Sequence, residues 1–330
     1  MQCGRIIGTG SYLPSRVVGN DEVSRELSLD SAAIYRLTGI RTRRWVAEDE
    51  TTSLLAEHAA RRAFEGTGMS PASLDAILVS TTSPDMVFPS TACHLQRRLG
   101  APTVAAFDVA GSCSGFLYGL SMANCMINAG LFRHCLVVAT EVKSRFLDPH
   151  DEATAILFAD GAGAALVTAE KGGADSSHGL MGVRLYADGG QYQLISLPAG
   201  GSRQPTTRQT LAEHKHTIRL QGGPLFRTAV KRLSAAVQEI LKEFGVGIRD
   251  VKCGIFHQAN GRLLAALQRR LGMAPDQMFS VIEQFGNTSS ASLPIALDHA
   301  VREGRIASGD LVLLGAFGGG LTWATALLRW

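Results

Sequence analysis

The chain has 330 residues, of which 45% are hydrophobic and 18% are charged, and its formal net charge is +3. This composition excludes general disorder, and so small a charge does not indicate nucleic-acid binding. No apolar run reaches the roughly 18 residues that span a membrane, and the N-terminus lacks a signal-peptide pattern. We therefore expect a cytoplasmic protein with no membrane association, and the low charge content favours a homodimer.

Short apolar runs alternate with amphipathic stretches along the chain. Periodicity predicts helices over 53–65 and 225–243. Strands are predicted over 76–80, 104–109, 135–139, 164–167, 251–256, 279–282, 311–315 and 324–328. Strands that alternate with helices predict an α/β protein with a largely parallel sheet.

The order of these elements repeats after roughly 175 residues. We interpret the repeat as an internal duplication, with an N-terminal half over 1–172 and a C-terminal half over 173–330. The polar stretches 171–178 and 198–216 are predicted to be surface connections. In this alignment Asn287 takes the place of Cys113, so two facing halves would bring the two residues to one crevice.

The six cysteines include no CxxC pair, which argues against a metal site and favours buried thiols. Cys113 differs because it lies between Gly111 and Gly115, where an apolar strand runs into a helical stretch. At a helix N-terminus the dipole and the N–H groups favour an anion, so this thiol is a candidate nucleophile. A small residue packed at a strand–helix corner fits the segment equally well.

Three more segments could carry chemistry. His257 follows a predicted strand directly, at the position where open α/β sheets place their reactive groups, although most lone histidines are structural. Asn287, after Gly286, could be an ordinary turn residue. The glycines 318–320 follow another strand, and they could bring backbone N–H groups to an oxyanion or form a plain flexible turn.

Taken together, the segments FDVAGSCSGF, FADGAGAA, HQANGR, FGNTSSAS and AFGGGLTW resemble the signatures of β-ketoacyl-acyl carrier protein synthase III, a family of the thiolase superfamily. The resemblance runs nearly end to end. It implies a homodimer of duplicated halves in five layers, α/β/α/β/α. It also implies Cys113, His257 and Asn287 as the catalytic set, with the N–H groups of Cys113 and Gly319 as the oxyanion hole.

The implied reaction has two stages and uses no metal or redox cofactor. Cys113 takes an acyl group from a thioester, either acyl-coenzyme A or acyl-carrier protein, and malonyl-acyl carrier protein then condenses with it and loses CO₂. Phe158 matches the family residue beside the acyl pocket, and Phe88 matches the one that reaches into the partner's pocket. Arg262 matches the residue that docks the acidic carrier protein, and Arg227 and Arg269 lie on flanking helices.

Two other functions fit parts of the pattern. A thiolase-fold acyltransferase would pass the Cys113-bound acyl group to an alcohol, amine or thiol without losing CO₂. A hydrolase with a G-x-C-x-G nucleophile elbow would use Cys113 and His257, but it leaves Asn287 and the duplication unexplained.

The sequence departs from the family where the family grips coenzyme A. Two arginines, a tryptophan and an asparagine of the family are replaced here by Leu37, Glu152, Ala33 and Gly223. These changes remove stacking and positive charge, and Glu152 would repel phosphates. We therefore expect the acyl donor to arrive on a carrier protein, in a specialised pathway, unless Trp45 or Arg43 replaces the lost contacts.

Overall fold

Strands and helices follow one another through the chain much as the periodicity predicts. The structure, a computed structural model, describes residues 2–171 and 178–330, without the side chain of Lys171. The strands are β1 (Gln2–Tyr12), β2 (Val17–Gly19), β3 (Thr42–Arg44), β4 (Ala76–Ser80), β5 (Ala105–Val109), β6 (His134–Glu141), β7 (Gly161–Lys171), β8 (Gly179–Ala187), β9 (Ile195–Ser196), β10 (Arg219–Leu220), β11 (Cys253–Phe256), β12 (Met278–Phe279), β13 (Leu311–Gly318) and β14 (Thr322–Arg329). The helices are α1 (Asn20–Val23), α2 (Ser31–Thr38), α3 (Thr52–Phe64), α4 (Thr91–Leu99), α5 (Gly115–Asn128), α6 (Glu152–Ala155), α7 (Arg208–Ala212), α8 (Gly222–Glu243), α9 (Gly261–Leu271), α10 (Ile282–Phe285) and α11 (Ser292–Arg302).

Two five-stranded sheets organise the chain. The first has the order β1-β7-β6-β4-β5, and the second has the order β8-β14-β13-β11-β12. In each sheet the last three strands are parallel, whereas the first two run antiparallel to their neighbours. The prediction of a largely parallel sheet is therefore wrong for four of the eight strand pairs in these two sheets. The connection between antiparallel strands is shortest between β13 and β14, which a tight turn joins directly. A parallel pair would need a crossover connection such as a helix.

The sheets and helices stack in five layers. α3 and α4 pack on the outer face of the first sheet, and α8 and α9 pack on the outer face of the second. The central core joins α5 and α11 to the inner faces of both sheets, for example through Phe116, Leu120, Leu293 and Leu297. This confirms the predicted α/β/α/β/α arrangement. Among the described residues, no helix combines the length and the apolar character needed to cross a bilayer.

Strand order and direction are the same in both halves, which supports the internal duplication. The alignment of its motifs was wrong, however. Ser112 and Ser289, with φ of 49° and 53°, begin matching 3₁₀ turns 177 residues apart (289 − 112), and α5 and α11 follow these turns directly. Cys113 therefore corresponds to Ser290 and not to Asn287. The proposed boundary near residue 172 and most of the connection 171–178 lie outside the described residues.

Candidate active site

The turn between β5 and α5 holds Cys113 in a tight elbow. Gly111 and Gly115 approach so closely that a Cβ on Gly111 would lie 2.7 Å from the Cα of Gly115, and one on Gly115 would lie 1.9 Å from the Oγ of Ser80. Between these glycines, Ser112 adopts a left-handed conformation that side chains rarely accept. The predicted strand–turn–helix is confirmed. It places a buried cysteine just before the first turn of α5.

The glycines after β13 form the facing wall. A Cβ on Gly318 would lie 2.6 Å from the backbone nitrogen of Cys113 and 2.7 Å from its Cβ. Gly319 lines the same cavity as Cys113. Close backbone approach, rather than a plain flexible turn, therefore explains the glycine at position 318.

We expect Gly318→Ala to destabilise the fold by about 1–3 kcal/mol, because the added methyl group overpacks the backbone of Cys113. The same displacement should slow acylation of Cys113. Thermal unfolding and thiol labelling measure the two effects. Gly201→Ala, at a glycine where nothing lies within 4 Å of the added Cβ, is the control for an added methyl group alone. Equal labelling rates in the two variants would contradict this account of Gly318.

His257 enters the site from the second half, directly after β11. Its backbone N–H donates to the carbonyl oxygen of Gly315 at 2.8 Å, which extends the β11–β13 ladder by one residue. Its Nδ1 lies 2.6 Å from the Oγ of Ser292, which also accepts the N–H of Gln258 at 3.0 Å. Ser292 therefore fixes the ring and leaves Nε2 for the reacting groups.

Asn287 is held by contacts with both halves. Its backbone N–H donates to the carbonyl oxygen of Leu157 at 2.9 Å, and its carbonyl oxygen accepts the N–H of Ala159 at 2.9 Å. The side-chain Oδ1 accepts the N–H of Ser289 at 2.9 Å, and Nδ2 donates to the carbonyl oxygen of Ala259 at 3.3 Å. The amide orientation is thus set, and one N–H of Nδ2 remains for a ligand.

The thiol of Cys113 is electrostatically perturbed. Burial alone would raise its pKa, but attraction and hydrogen bonding from His257, a hydrogen bond with Ser289 and the charge of Lys143 together lower the pKa below its usual value. The Sγ lies 3.4 Å from the Oγ of Ser289. By contrast, burial raises the pKa of the Cys135 thiol to about 12. Cys113 therefore has the thiolate character that a nucleophile needs.

We expect the rate at which Cys113 reacts with iodoacetamide to reach half of its maximum at a pH below roughly 8.5, the pKa typical of a cysteine in solution. A depressed pKa keeps the thiolate populated as pH falls, so the reaction is lost only below that lowered pKa. Mass spectrometry of the labelled Cys113 peptide across a pH series measures the midpoint. His257→Phe should move it upward, and an unchanged midpoint in that variant would contradict the role of the imidazole.

A buried carboxylate that was not predicted from the sequence lies beneath the elbow. Glu141 ends β6 fully buried, and its oxygens accept hydrogen bonds from Ser289 at 3.2 Å and Ser290 at 2.9 Å. Lys143 forms an ion pair with it at 3.0 Å. Burial would raise the pKa of Glu141, but Lys143 and the hydrogen bonds keep it lowered. The one signal in the sequence was an acidic residue at the end of an apolar strand.

Three cavities lead to Cys113 and past it. The entrance cavity, of about 540 Å³, shares Leu157, Gly222, Phe226 and Asn260 with the central cavity, of about 120 Å³. Cys113, His257 and Asn287 all line the central cavity. The distal cavity, of about 250 Å³, lies beyond and shares Cys113, Phe158, Ile195 and Gly319 with the central one. The predicted convergence of the three residues on one crevice is therefore found.

The other predicted residues fall in different places. Phe158 is buried and lines both inner cavities, whereas Phe88 is 83% exposed and lines none of the described cavities in its own chain. Arg227 and Arg262 lie at the entrance cavity, and Arg269 lies exposed outside it on the same helix as Arg262.

Arg43 and Trp45, the two residues that could have replaced the lost coenzyme A contacts, form hydrogen bonds inside the protein instead. Arg43 is fully buried and donates to the Oδ1 of Asn20 at 2.8 Å. Trp45 donates its indole N–H to the carbonyl oxygen of Phe158 at 3.1 Å. Because both side chains serve the interior of the protein, neither replaces the cations and the aromatic ring missing from the entrance.

Comparison with known proteins gives the same family over the whole chain. The family model of 3-oxoacyl-[acyl-carrier-protein] synthase III matches residues 107–189, and the model of its C-terminal part matches 241–330. A β-ketoacyl-[acyl-carrier-protein] synthase III of Methylococcus capsulatus is 44% identical, over 99% of this chain and 98% of the relative. One from Caldanaerobacter subterraneus is 42% identical, over 98% and 97%. A crystal structure of the Aquifex aeolicus 3-oxoacyl-[acyl-carrier-protein] synthase III matches with a TM-score of 0.90 and 38% identity, over 99% of this chain and all of that one. The chain therefore belongs to the β-ketoacyl-acyl carrier protein synthase III family of the thiolase superfamily.

Proposed function

We propose that this condensing enzyme loads an acyl group on Cys113 and then joins it to malonyl-acyl carrier protein with loss of CO₂. The observation that carries the proposal is the convergence of Cys113 from one half with His257 and Asn287 from the other on a single cavity. The reaction exchanges thioesters and releases CO₂, so it requires no resident cofactor. A transferase of this family would produce a β-ketoacyl thioester.

In the loading step, the Cys113 thiolate attacks the thioester carbonyl of the donor. The carbon–sulfur bond to the donor breaks as the new one to Cys113 forms, and the donor thiol leaves with the proton that Cys113 gave up. The N–H groups of Cys113 and Gly319 would hold the oxyanion. The close approach of Gly318 to Cys113 supports this pairing, because it brings the two backbone segments together.

In the condensation step, His257 and Asn287 would donate hydrogen bonds to the thioester oxygen of the malonyl group. Ser292 can donate its O–H to Nδ1, which leaves the proton on Nε2. Loss of CO₂ then leaves an enolate whose charge both donors stabilise. The carbanion attacks the acyl carbon, and Cys113 leaves as the thiolate. A simple acyltransferase would not need this second pair of donors.

We infer that the donor arrives on a carrier protein rather than on coenzyme A. Leu37, Glu152 and Gly223 all line the entrance cavity, where the phosphates and adenine of coenzyme A would lie. The carboxylate of Glu152 is held there, since its Oε1 accepts the N–H of Ser28 at 3.0 Å. A carrier protein presents its acyl group on a phosphopantetheine arm and needs no adenine site.

Intact-protein mass spectrometry tests both parts of the proposal. In separate incubations, the same acyl group is supplied on coenzyme A or on acyl carrier protein. The acyl mass added to the protein at Cys113 is then followed with time. We expect faster acylation from the carrier protein, followed by loss of the acyl mass and release of CO₂ when malonyl-acyl carrier protein is added. Efficient use of acetyl-coenzyme A would overturn the donor assignment, and acyl loss without CO₂ release would favour the acyltransferase.

We expect Arg262→Glu to weaken carrier-protein use by about tenfold or more, because it places a negative charge beside Glu152 where an acidic partner would dock. The effect should shrink at high salt. Arg269→Glu is the matched control, since it lies on the same helix but outside the entrance cavity. Initial rates at varied carrier-protein concentration measure both, and equal losses would place the docking surface elsewhere.

The proposal includes a homodimer in which Phe88 enters the partner's site. Met86, Val87 and Phe88 form a run of apolar side chains that are 48%, 88% and 83% exposed in the single chain. Such a run on a loop is typical of a residue set buried by another subunit.

A further inference from the structure

The distal cavity beyond Cys113 contains a charged side chain in largely apolar surroundings. Five of its lining residues are apolar: Phe146, Phe158, Ile195, Leu197 and Ile218. Lys143, with only 6% of its surface exposed, also lines it, and among the described residues of the lining it is the one acidic or basic residue. A cavity that only received an aliphatic acyl chain would have no need of an ammonium group.

The ion pair with Glu141 accounts for only part of the hydrogen-bonding capacity of this lysine. The carboxylate of Glu141 already accepts hydrogen bonds from the hydroxyls of Ser83 at 2.6 Å and Ser290 at 2.9 Å, and from the backbone N–H of Thr82 at 3.1 Å. These groups share the carboxylate with Lys143, whose ion pair with Glu141 takes up only part of the hydrogen-bonding capacity of the ammonium group. Lys143 lines the cavity, whereas Glu141 does not.

Lys143 is less completely satisfied. Its ammonium group donates to Glu141 at 3.0 Å and to the Oγ1 of Thr82. An ammonium group has three N–H donors, and within the described part of the chain no third acceptor is found for it. A buried donor without a partner is unfavourable, and an acceptor placed in the cavity would relieve that cost.

We propose that Lys143 selects acyl donors whose chain ends in a carboxylate, so that the substrate is the half-thioester of a short dicarboxylic acid. The inference rests on the proposed function, in which Cys113 carries the acyl group. With the thioester carbon bonded to Cys113, the chain extends into the distal cavity, and its terminal carboxylate reaches Lys143. The charge on the carboxylate is balanced there by an ammonium group in a site that excludes water.

The loading step is an ordinary thioester exchange. The Sγ of Cys113 forms a bond to the thioester carbon, the donor sulfur leaves, and the thiol proton ends on the departing thiol. The terminal carboxylate forms no covalent bond and loses no atom. No oxidant or further reactant is required.

The test compares glutaryl and pentanoyl thioesters carried on the same acyl carrier protein. They have the same number of carbon atoms and differ in the terminal carboxylate. The initial rate of acylation of Cys113 is followed by intact-protein mass spectrometry in the full-length wild-type protein, Lys143→Met and Lys143→Arg. We expect the ratio of the glutaryl rate to the pentanoyl rate to be at least ten in the wild type. This ratio should be about tenfold lower in Lys143→Met and close to the wild-type value in Lys143→Arg.

A wild-type ratio of one or below overturns the inference, whether or not Lys143→Met folds. An unchanged ratio in a folded Lys143→Met does the same. If neither donor acylates Cys113 while iodoacetamide labels it, the proposed function fails and this inference falls with it. Acylation by pentanoyl but not by glutaryl thioester leaves the proposed function standing and removes the dicarboxylate substrate alone.

Discussion

Cys113→Ala is expected to reduce the rate of condensation by more than about 10³-fold, because no other thiol lines the central cavity, as far as the described residues go, to carry the acyl intermediate. The fold should remain, since Cys113 is a small side chain packed between backbone segments. Product formation from acyl and malonyl thioesters measures the loss, and intact mass should show no acyl adduct on the variant.

The matched control is Cys125→Ala on the same helix, α5, where the cysteine is exposed. This variant should keep its acyl adduct and its rate. An adduct that persists in Cys113→Ala and disappears in Cys125→Ala would refute the assignment of the nucleophile.

Asn287→Asp is expected to separate the two stages of the reaction. The substitution preserves size, and one carboxylate oxygen can still accept the N–H of Ser289, but the donor that faces the substrate becomes an acceptor. We expect release of CO₂ from malonyl-acyl carrier protein to fall by about 10²–10³-fold, the usual cost of losing one oxyanion donor. Acylation of Cys113 should stay within a few-fold of the wild type, which intact mass measures in the same sample.

Equal loss of acylation and decarboxylation in Asn287→Asp would show that the residue supports the fold of the site rather than the second stage. Thermal unfolding of the variant distinguishes the two cases. A variant with wild-type rates in both stages would contradict the role of Asn287 altogether.

The local pattern of apolar residues was enough to predict several of the strands and helices that position the site. The strand predicted over 76–80 coincides with β4, and the helix predicted over 53–65 lies within one residue of α3 at each end. Both are regular segments whose apolar period is set by one buried face. β1 and β8 were missed because glycines and polar residues interrupt their apolar runs, and their pairing with distant strands decides their structure.

The correspondence between the halves could not be aligned from residue types. The segments GSCSG and FGNTSSAS both follow a predicted strand and look alike as turn signals, and their place in the repeat led to the pairing of Cys113 with Asn287. In the structure the elbows correspond through Ser112 and Ser289, which both have a left-handed backbone conformation. Apart from glycine, no residue type predicts that conformation from the sequence. Glu141 and Lys143 were missed for a related reason: their importance comes from three-dimensional neighbours and not from their own segment.

The paired elbows have a consequence for stoichiometry. The scaffold repeats the same backbone corner, but only the first corner bears sulfur, while at the second Ser290 directs its hydroxyl to Glu141. In the proposed reaction, each chain therefore carries one covalent intermediate at its paired corners. The second corner instead supports the first through the 3.4 Å contact between the Oγ of Ser289 and the Sγ of Cys113.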